Sequence, residues 1–399
     1  MTRNVLHLVH GFYEGGSERQ AAQLVRLLSE SGRYRVHVAS LYGGGPLRAE
    51  VERLALGEIP VYELTSFYDL NFVRHLRRFA RHLRERRIGL VQTHDFYSNV
   101  FGMAGAALAR VPARVASKRE TGGTRTGAQR RVERAAYLAA DRVVANAGAV
   151  RDHLIAEGVS ARKIEVVYNG LDLSRVAAPE GASREETRAS LGLPAGRPIV
   201  SIVANLRLPV KDHPTFLRAA RRVRERVPDA AFALAGEGEL VEPMRALAAE
   251  LGIARDTFFL GRCDRVAALL AVSDVCVLSS KAEGFSNAVL EYMAAGRAVV
   301  ATDVGGAREM IEEGETGHLV AAGDDEALAA RVASLLSEPE RARRMGERGR
   351  RVVAEKFSCG AQLARIESLY EALFAEKAAR AAGARSGKGR GGARTTTEV

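Results

Sequence analysis

The sequence predicts an α/β protein of two tandem domains, each a doubly wound parallel sheet, facing one another across a cleft. Three observations lead there. The chain has 399 residues, too many for one ordinary core and enough for two. Short apolar runs alternate with amphipathic stretches along most of its length, the pattern of parallel strands covered by helices on both faces. The alternation falls into two series, parted by the polar stretch "DLSRVAAPEGASREETRASLGLPAGRP".

The first series opens with a strand at 5–10 (VLHLVH) and a helix in "SERQAAQLVRLLSESG", with Ser17 as N-cap and Gly32 as its stop. "YRVHVASLY", 88–94, 113–118 and 141–147 are further strands, and "KIEVVYNG" closes the series. The second has strands at 198–206, 230–238, 257–262, 274–280 and 298–306, with "HLVAAGD" adding a short edge strand. These patterns divide the chain into a first domain at 1–175, a linker at 176–197, a second domain at 198–357, a C-terminal helix at 358–378 and a tail at 379–399.

Composition is that of a soluble globular protein, 47% hydrophobic and 27% charged. No apolar run reaches the ~20 residues of a membrane-spanning helix, and "MTRNVLHLVHGF" carries no secretory signal pattern. Cys263, Cys276 and Cys359 are scattered without metal-ligand spacing, which suits a reduced, cytoplasmic protein.

The net charge of +11 is uneven. From Ala379 onward, "ARAAGARSGKGRGGARTTTEV" holds five Arg or Lys and one acid, with no large apolar side chain to bury. It reads as a solvated tail; an RNA-binding or anionic-lipid-binding tail is the sharper alternative. In "NFVRHLRRFARHLRERR", 71–87, Phe72, Leu76, Phe79 and Leu83 recur at helical spacing with Arg on the other faces. A surface helix packed on a sheet explains it. The sharper reading is peripheral contact with an anionic membrane, on the inner face, through this helix and the tail. No specific nucleic acid is expected. A third block, "SKRETGGTRTGAQRRVER", has six basic and two acidic residues between Lys118 and Arg134 and reads as a loop entering a helix.

Ligands of such sheets bind outside the carboxyl ends of the strands, so the chemistry is sought in the loops there. In "HGFYEGGSERQ", Gly15 and Gly16 stand between a strand and a helix, as a phosphate seat or simply as a tight turn. The sequence is not G-x-G-x-x-G, so a nicotinamide dinucleotide is not expected. In "VANLRLPVKDHPTFLRAA", Arg207 and Lys211 follow the first strand of the second domain, where two cations can neutralise a diphosphate and stabilise it as a leaving group, or simply belong to a solvated loop. In "SSKAEGFSNAVLEYMAAG", Ser286 or Asn287 caps a helix, Glu283 stands at its mouth, and Glu291 lies among Val289, Leu290 and Met293. A carboxylate there suits a pair of vicinal hydroxyls such as a ribose, although taken alone Glu291 is as readily an exposed residue or the partner of a nearby Arg.

The spacing from Glu283 to Glu291, E-x7-E, in "EGFSNAVLEYMAAGRAVVATDVGGAREMI" strongly resembles the retaining glycosyltransferases of the GT-B fold, two Rossmann-like domains in tandem, and most of all family four (glycosyl transferases group 1). "GGSER", "THDFYSN", "VVYNGLD", "NLR...K", "AGEGEL" and "FLGR" extend the match across most of the chain. The resemblance implies that Glu283 holds donor-sugar hydroxyls, Glu291 binds the nucleotide ribose, and Arg207 and Lys211 grip the diphosphate. Gly284, Phe285, Ser286 and Asn287 would offer backbone N–H groups to phosphates and sugar. Gly16 would touch the phosphate or the acceptor, His94 would lie close to the anomeric carbon, and Arg262 would lie near the base. The C-terminal helix would cross back onto the first domain. Glu120 and Asn169 are the acceptor-side candidates. Where the family commonly has Gly before the Arg and after the Lys of the phosphate loop, this chain has Leu206 and Asp212.

The implied reaction moves a sugar from a nucleotide diphosphate sugar to an acceptor hydroxyl of a glycan or lipid-linked molecule with its anomeric configuration kept. UDP is the first expectation for the nucleotide and GDP the second. No cofactor is expected, and with no D-x-D in the chain no metal-bridged diphosphate either. A nucleotide-sugar epimerase of the same fold and a non-enzymatic polyanion-binding protein are the alternatives.

Overall fold

The computed structural model describes residues 3–388 apart from 14, 68, 122–124 and 179–180. It contains two six-stranded, wholly parallel sheets. The first is built from β1 (Arg3–Val9), β2 (Tyr34–Ser40), β3 (Leu90–Thr93), β4 (Ala113–Lys118), β5 (Arg142–Ala145) and β6 (Ile164–Val166), in the order β2-β1-β3-β4-β5-β6. The second is built from β7 (Ile199–Val203), β8 (Ala231–Ala235), β9 (Thr257–Gly261), β10 (Val275–Leu278), β11 (Ala298–Thr302) and β12 (His318–Val320), in the order β12-β11-β10-β7-β8-β9. This is the expected pair of doubly wound domains in a GT-B arrangement.

Strand order reverses once in each sheet, between β1 and β3 and between β7 and β10. At such a point consecutive connections leave in opposite directions and open a crevice at the carboxyl ends of the strands. The helix Asn287–Ala294 follows β10, and Ser286 caps it by accepting from Val289 N–H. The helix Gly16–Glu30 follows β1, and its N-cap is Gly15 rather than the expected Ser17. Gly15 has the extended backbone usual for an N-cap and, having no side chain, leaves the first turn without a side-chain cap.

Two stretches differ from expectation. The polar segment taken as linker contains a helix, Arg184–Ser190, with a reciprocal capping box between Ser183 and Glu186; Leu193, just beyond it, is buried in the core of the second domain. The last helix, Cys359–Lys388, runs well past Ala379, where an unfolded tail was expected. Ala, Arg and Lys propagate a helix once it is nucleated. The rest of that tail, 389–399, lies outside the described residues.

The last helix crosses back to the first domain. Ile366, Leu369, Tyr370 and Leu373 are buried in the same core as Val5, Leu24, Val36 and Val115. Ion pairs Arg3–Glu371 at 2.7 Å and Arg33–Glu367 at 2.7 Å edge the contact. Between the domains, Tyr168, Phe285 and Phe357 form an aromatic triangle with ring centroids 5.0–5.3 Å apart.

The basic helix is Leu70–Glu85, capped by Asp69. Phe79 and Leu83 are buried and Phe72 and Leu76 pack on the same core, so its apolar stripe faces inward. Leu70 and Val73 are exposed. No helix among the described residues is long and apolar enough to cross a membrane.

Candidate functional site

The loops after β7 and β10 meet because those strands are neighbours. Lys281 N–H donates to the Val210 carbonyl at 2.8 Å, and Ser279 Oγ donates to the Lys211 carbonyl at 2.9 Å. These bonds aim Lys211 at Glu283: Nζ lies 2.6 Å from Oε1, which also accepts from Ser280 Oγ at 2.7 Å. The two substitutions in the phosphate loop fit without distortion of its charges. Asp212 takes a left-handed φ of 48°, the conformation that favours glycine and that Asp tolerates best among charged residues. Leu206 is fully buried, and its backbone bonds to Glu237 and Leu240.

Arg207 is placed differently. It is largely exposed and pairs with Glu237 at 2.7 Å, in the loop after β8. Gly238 sets this approach: with φ 146°, its missing Cβ would lie 2.3 Å from the Leu206 carbonyl and 2.7 Å from Arg207 Cγ. Arg262 sits at the end of the edge strand β9, where it pairs with Asp264 at 3.1 Å. Glu291 is half-buried in the helix after Glu283. Burial pushes its carboxyl upward, and Arg175 and Arg19 partly offset the shift. A carboxylate desolvated in this way gains from two hydroxyl donors.

The first domain presents the loops after β1, β3 and β4 to the same cleft. His94 follows β3 and is buried, its Nε2 2.9 Å from His7 Nδ1. It lines a cavity of about 280 Å³ with His10, Glu18, Asp95, Arg119 and Glu120. Glu120 pairs with Arg125 at 2.5 Å, which also holds the buried Glu133. Burial lowers the Arg119 guanidinium to about 10, with Glu18 and Asp95 opposing the shift. A larger cavity of about 610 Å³ lies at the opposite end of the second sheet, lined by Arg184, Arg188, Asp274 and Arg297, and contains none of the predicted site residues. Among the described residues no three His, Cys, Asp or Glu stand together as metal ligands.

A polar seam joins the domains beside this cleft. Glu120 and Gly284 form an antiparallel bridge, and Thr121 Oγ1 donates to the Glu283 carbonyl at 2.7 Å. Asn169 Nδ2 donates to the Phe285 carbonyl at 3.1 Å and to Asn287 Oδ1 at 2.9 Å, while Asn169 Oδ1 accepts from Arg119 at 2.9 Å. Asn287 Nδ2 donates to the Gly16 carbonyl at 3.4 Å. The side chains of Asn169 and Asn287 are therefore engaged in the seam rather than presented to the cavity. Glu309, from the second domain, accepts from Gly148 and Ala149 N–H at 2.7 and 3.0 Å, at the N-terminus of the helix Gly148–Ala156.

Sequence reasoning missed Arg119, Glu309 and His7. His7 left a signal, a polar residue inside an otherwise apolar buried strand. Arg119 and Glu309 left none, because their partners lie far away in the chain.

Burial holds His7 down to about 3 and His94 well below its ordinary value. Both are therefore neutral when folded and take up protons only when unfolded as pH falls below about 6.5. Stability is expected to drop between about pH 6.5 and pH 3, by on the order of 1 kcal/mol per pH unit for each ring. Urea unfolding midpoints at pH 7.5 and 5.0 check this, and His7→Asn should flatten the dependence.

The family described as Glycosyltransferase Family 4 matches residues 14–175, and that described as Glycosyl transferases group 1 matches residues 183–352. Putative glycosyltransferase EpsD of Bacillus subtilis is 35% identical over 164 residues, 41% of this chain and 43% of that protein. N-acetyl-alpha-D-glucosaminyl L-malate synthase of Bacillus anthracis is 34% identical over 209 residues, 52% of this chain and 54% of that protein. The chain thus spans about half the length of these curated relatives. The crystal structure of Anabaena HepE in complex with UDP superposes with a TM-score of 0.82 at 21% identity, covering 93% of this chain and 100% of that one.

Proposed function

Because the chain belongs to the GT-B glycosyltransferases of the family-four, group 1 type, we propose that it transfers a sugar from a nucleotide diphosphate sugar to an acceptor hydroxyl with retention of anomeric configuration. One observation carries the reading. At the switch point of the second sheet, Lys211 is bonded to Glu283 while Glu291 stands desolvated one helix away. A carboxylate for sugar hydroxyls, a cation for the diphosphate and a second carboxylate for the ribose answer the three parts of a nucleotide sugar.

The chemistry is a front-face displacement. The acceptor oxygen bonds to the anomeric carbon as the bond from that carbon to the diphosphate oxygen breaks. The acceptor proton passes to the departing phosphate. Lys211, Arg207 and the first-turn N–H groups of the helix Asn287–Ala294 stabilise the charge that develops on the diphosphate, without a metal. Glu283 holds donor hydroxyls and His94 lies on the sugar side. The cavity bounded by Glu18, Arg119 and Glu120 receives a glycan or glycoconjugate acceptor. UDP, bound in the fold neighbour HepE, is the first nucleotide to test and GDP the second. The three unpaired cysteines support a reducing, cytoplasmic setting. Leu70 and Val73, exposed beside Arg74 and Arg77, support peripheral contact with anionic membranes, to be read by sedimentation with vesicles.

Calorimetric titration with UDP, GDP and ADP, with and without magnesium, tests the reading. One nucleotide is expected to bind without metal, and Glu291→Ala to weaken it about 10- to 100-fold, the worth of a pair of charge-assisted hydrogen bonds. Because a desolvated carboxylate is replaced by a neutral group, Glu291→Gln is expected to raise the melting temperature while weakening the nucleotide. Absence of binding by all three would sink the proposal.

A further inference from the structure

A buried hydrogen-bonded chain runs behind His94 to the crossing helix. The register of β1 and β3 sets His7 opposite Gln92. Tyr370, from the helix Cys359–Lys388, donates its hydroxyl proton to Gln92 Oε1 and lies 3.4 Å from His7 Nε2. His7 Nδ1 is 2.9 Å from His94 Nε2, the two rings stacked at 21°. His7 and Tyr370 are fully buried and His94 is 2% exposed. His94 Nδ1 is buried without a partner among the described residues, in a ring that lines the first-domain cavity.

With the Gln92 oxygen turned toward Tyr370, as the structure has it, one assignment of protons satisfies this chain. Gln92 Nε2 donates to Ser117 Oγ at 3.3 Å, and its oxygen faces Tyr370 and accepts. The Tyr370 oxygen then has only lone pairs for His7, which places the His7 proton on Nε2. Burial keeps His7 neutral, so its Nδ1 is a lone pair. The proton shared by the two rings therefore sits on His94 Nε2. Burial keeps His94 neutral as well, with His7 and then Arg119 adding to the effect, so its Nδ1 is a bare acceptor.

We propose that Tyr370 and His7 are positioning residues that hold His94 in its Nε2–H tautomer, so that Nδ1 accepts a hydrogen bond from a hydroxyl of the bound sugar. This rests on the nucleotide-sugar reading of the cleft. The opposite tautomer would present a donor and a different orientation to the same hydroxyl. The residue that sets this choice lies in the helix after the second domain, more than 250 residues from His94.

Long-range nitrogen-15 NMR of the histidine rings tests the relay in the full chain without ligand. Wild type is expected to show His94 as Nε2–H. Tyr370→Phe is nearly isosteric and removes the hydroxyl that His7 donates to and that donates to Gln92. His7 can then turn its proton to Nδ1, and His94 is expected to shift toward Nδ1–H. UDP release from UDP-glucose is expected to fall roughly tenfold in kcat, the worth of one hydrogen bond, with the Kd for UDP unchanged. His7→Asn, which can keep an acceptor near the Nδ1 position, should retain both tautomer and rate where His7→Leu loses them. A wild-type His94 protonated at Nδ1, or a Tyr370→Phe variant with unaltered tautomer and rate, overturns the proposal. The expected tautomer shift in a protein that releases no UDP from UDP-glucose would uphold the relay and count against the reading of the cleft.

Discussion

Gly284→Ala is expected to reduce glycosyl transfer by about 100-fold or more while leaving each domain folded. A Cβ at this position would lie 2.0 Å from the Arg119 carbonyl oxygen and 2.6 Å from its carbon, both backbone atoms that cannot step aside. The added methyl therefore forces apart the Glu120–Gly284 bridge, and with it the hydrogen bonds of Thr121 and Asn169. A displacement of about 1 Å between catalytic groups is enough for a loss of that size. Gly127→Ala is the control, since nothing lies within 4 Å of its Cβ position. Circular dichroism should be unchanged for both variants, whereas small-angle scattering should show a larger radius of gyration for Gly284→Ala alone. Full turnover by Gly284→Ala would mean that the seam is not needed for the reaction.

The second large effect is expected at Lys211. Lys211→Ala removes the cation bonded to Glu283, which the proposed reaction sets against the leaving diphosphate, and kcat should fall about 10²- to 10³-fold. Arg207→Ala should cost less than tenfold, because Arg207 is exposed and already paired with Glu237. The sequence treats these two cations as equals. The structure ranks them, and steady-state kinetics of both variants measure the ranking. Equal losses would mean that Arg207 swings away from Glu237 when substrate binds.

The strands were legible because buried parallel strands are written as continuous apolar runs. The segment 113–118 was placed residue for residue, and most others to within two residues at each end. Expected strands ran long at their carboxyl ends, as at 198–206 against Ile199–Val203 and 298–306 against Ala298–Thr302, because the apolar and glycine residues of the cleft loops continue the pattern past the last ladder bond. The cluster of Lys211 and Glu283 was legible because each lies in a loop just after its own strand. What escaped was whatever depends on two distant segments meeting. Asn169 and Asn287 belong to a seam that closes over 118 residues of sequence. Ser17 failed as a cap because the helix already includes Gly16 and Ser17, and the linker helix was hidden by the same small and polar residues that cap it.

The crossing helix also bears on how the chain reaches this structure during synthesis. Ile366, Leu369, Tyr370 and Leu373 complete the core around Val5, Val36 and Val115, so the first domain leaves the ribosome with an apolar groove it cannot fill. The filling segment emerges only after the whole second domain has been made. For the tens of seconds that translation of such a length takes, the first half of the chain is a partly open sheet, exposed to chaperones and to its own neighbours on the same message. These contacts join the first and last elements of the described chain, so the Tyr370–His7 link cannot close until the second domain has been made.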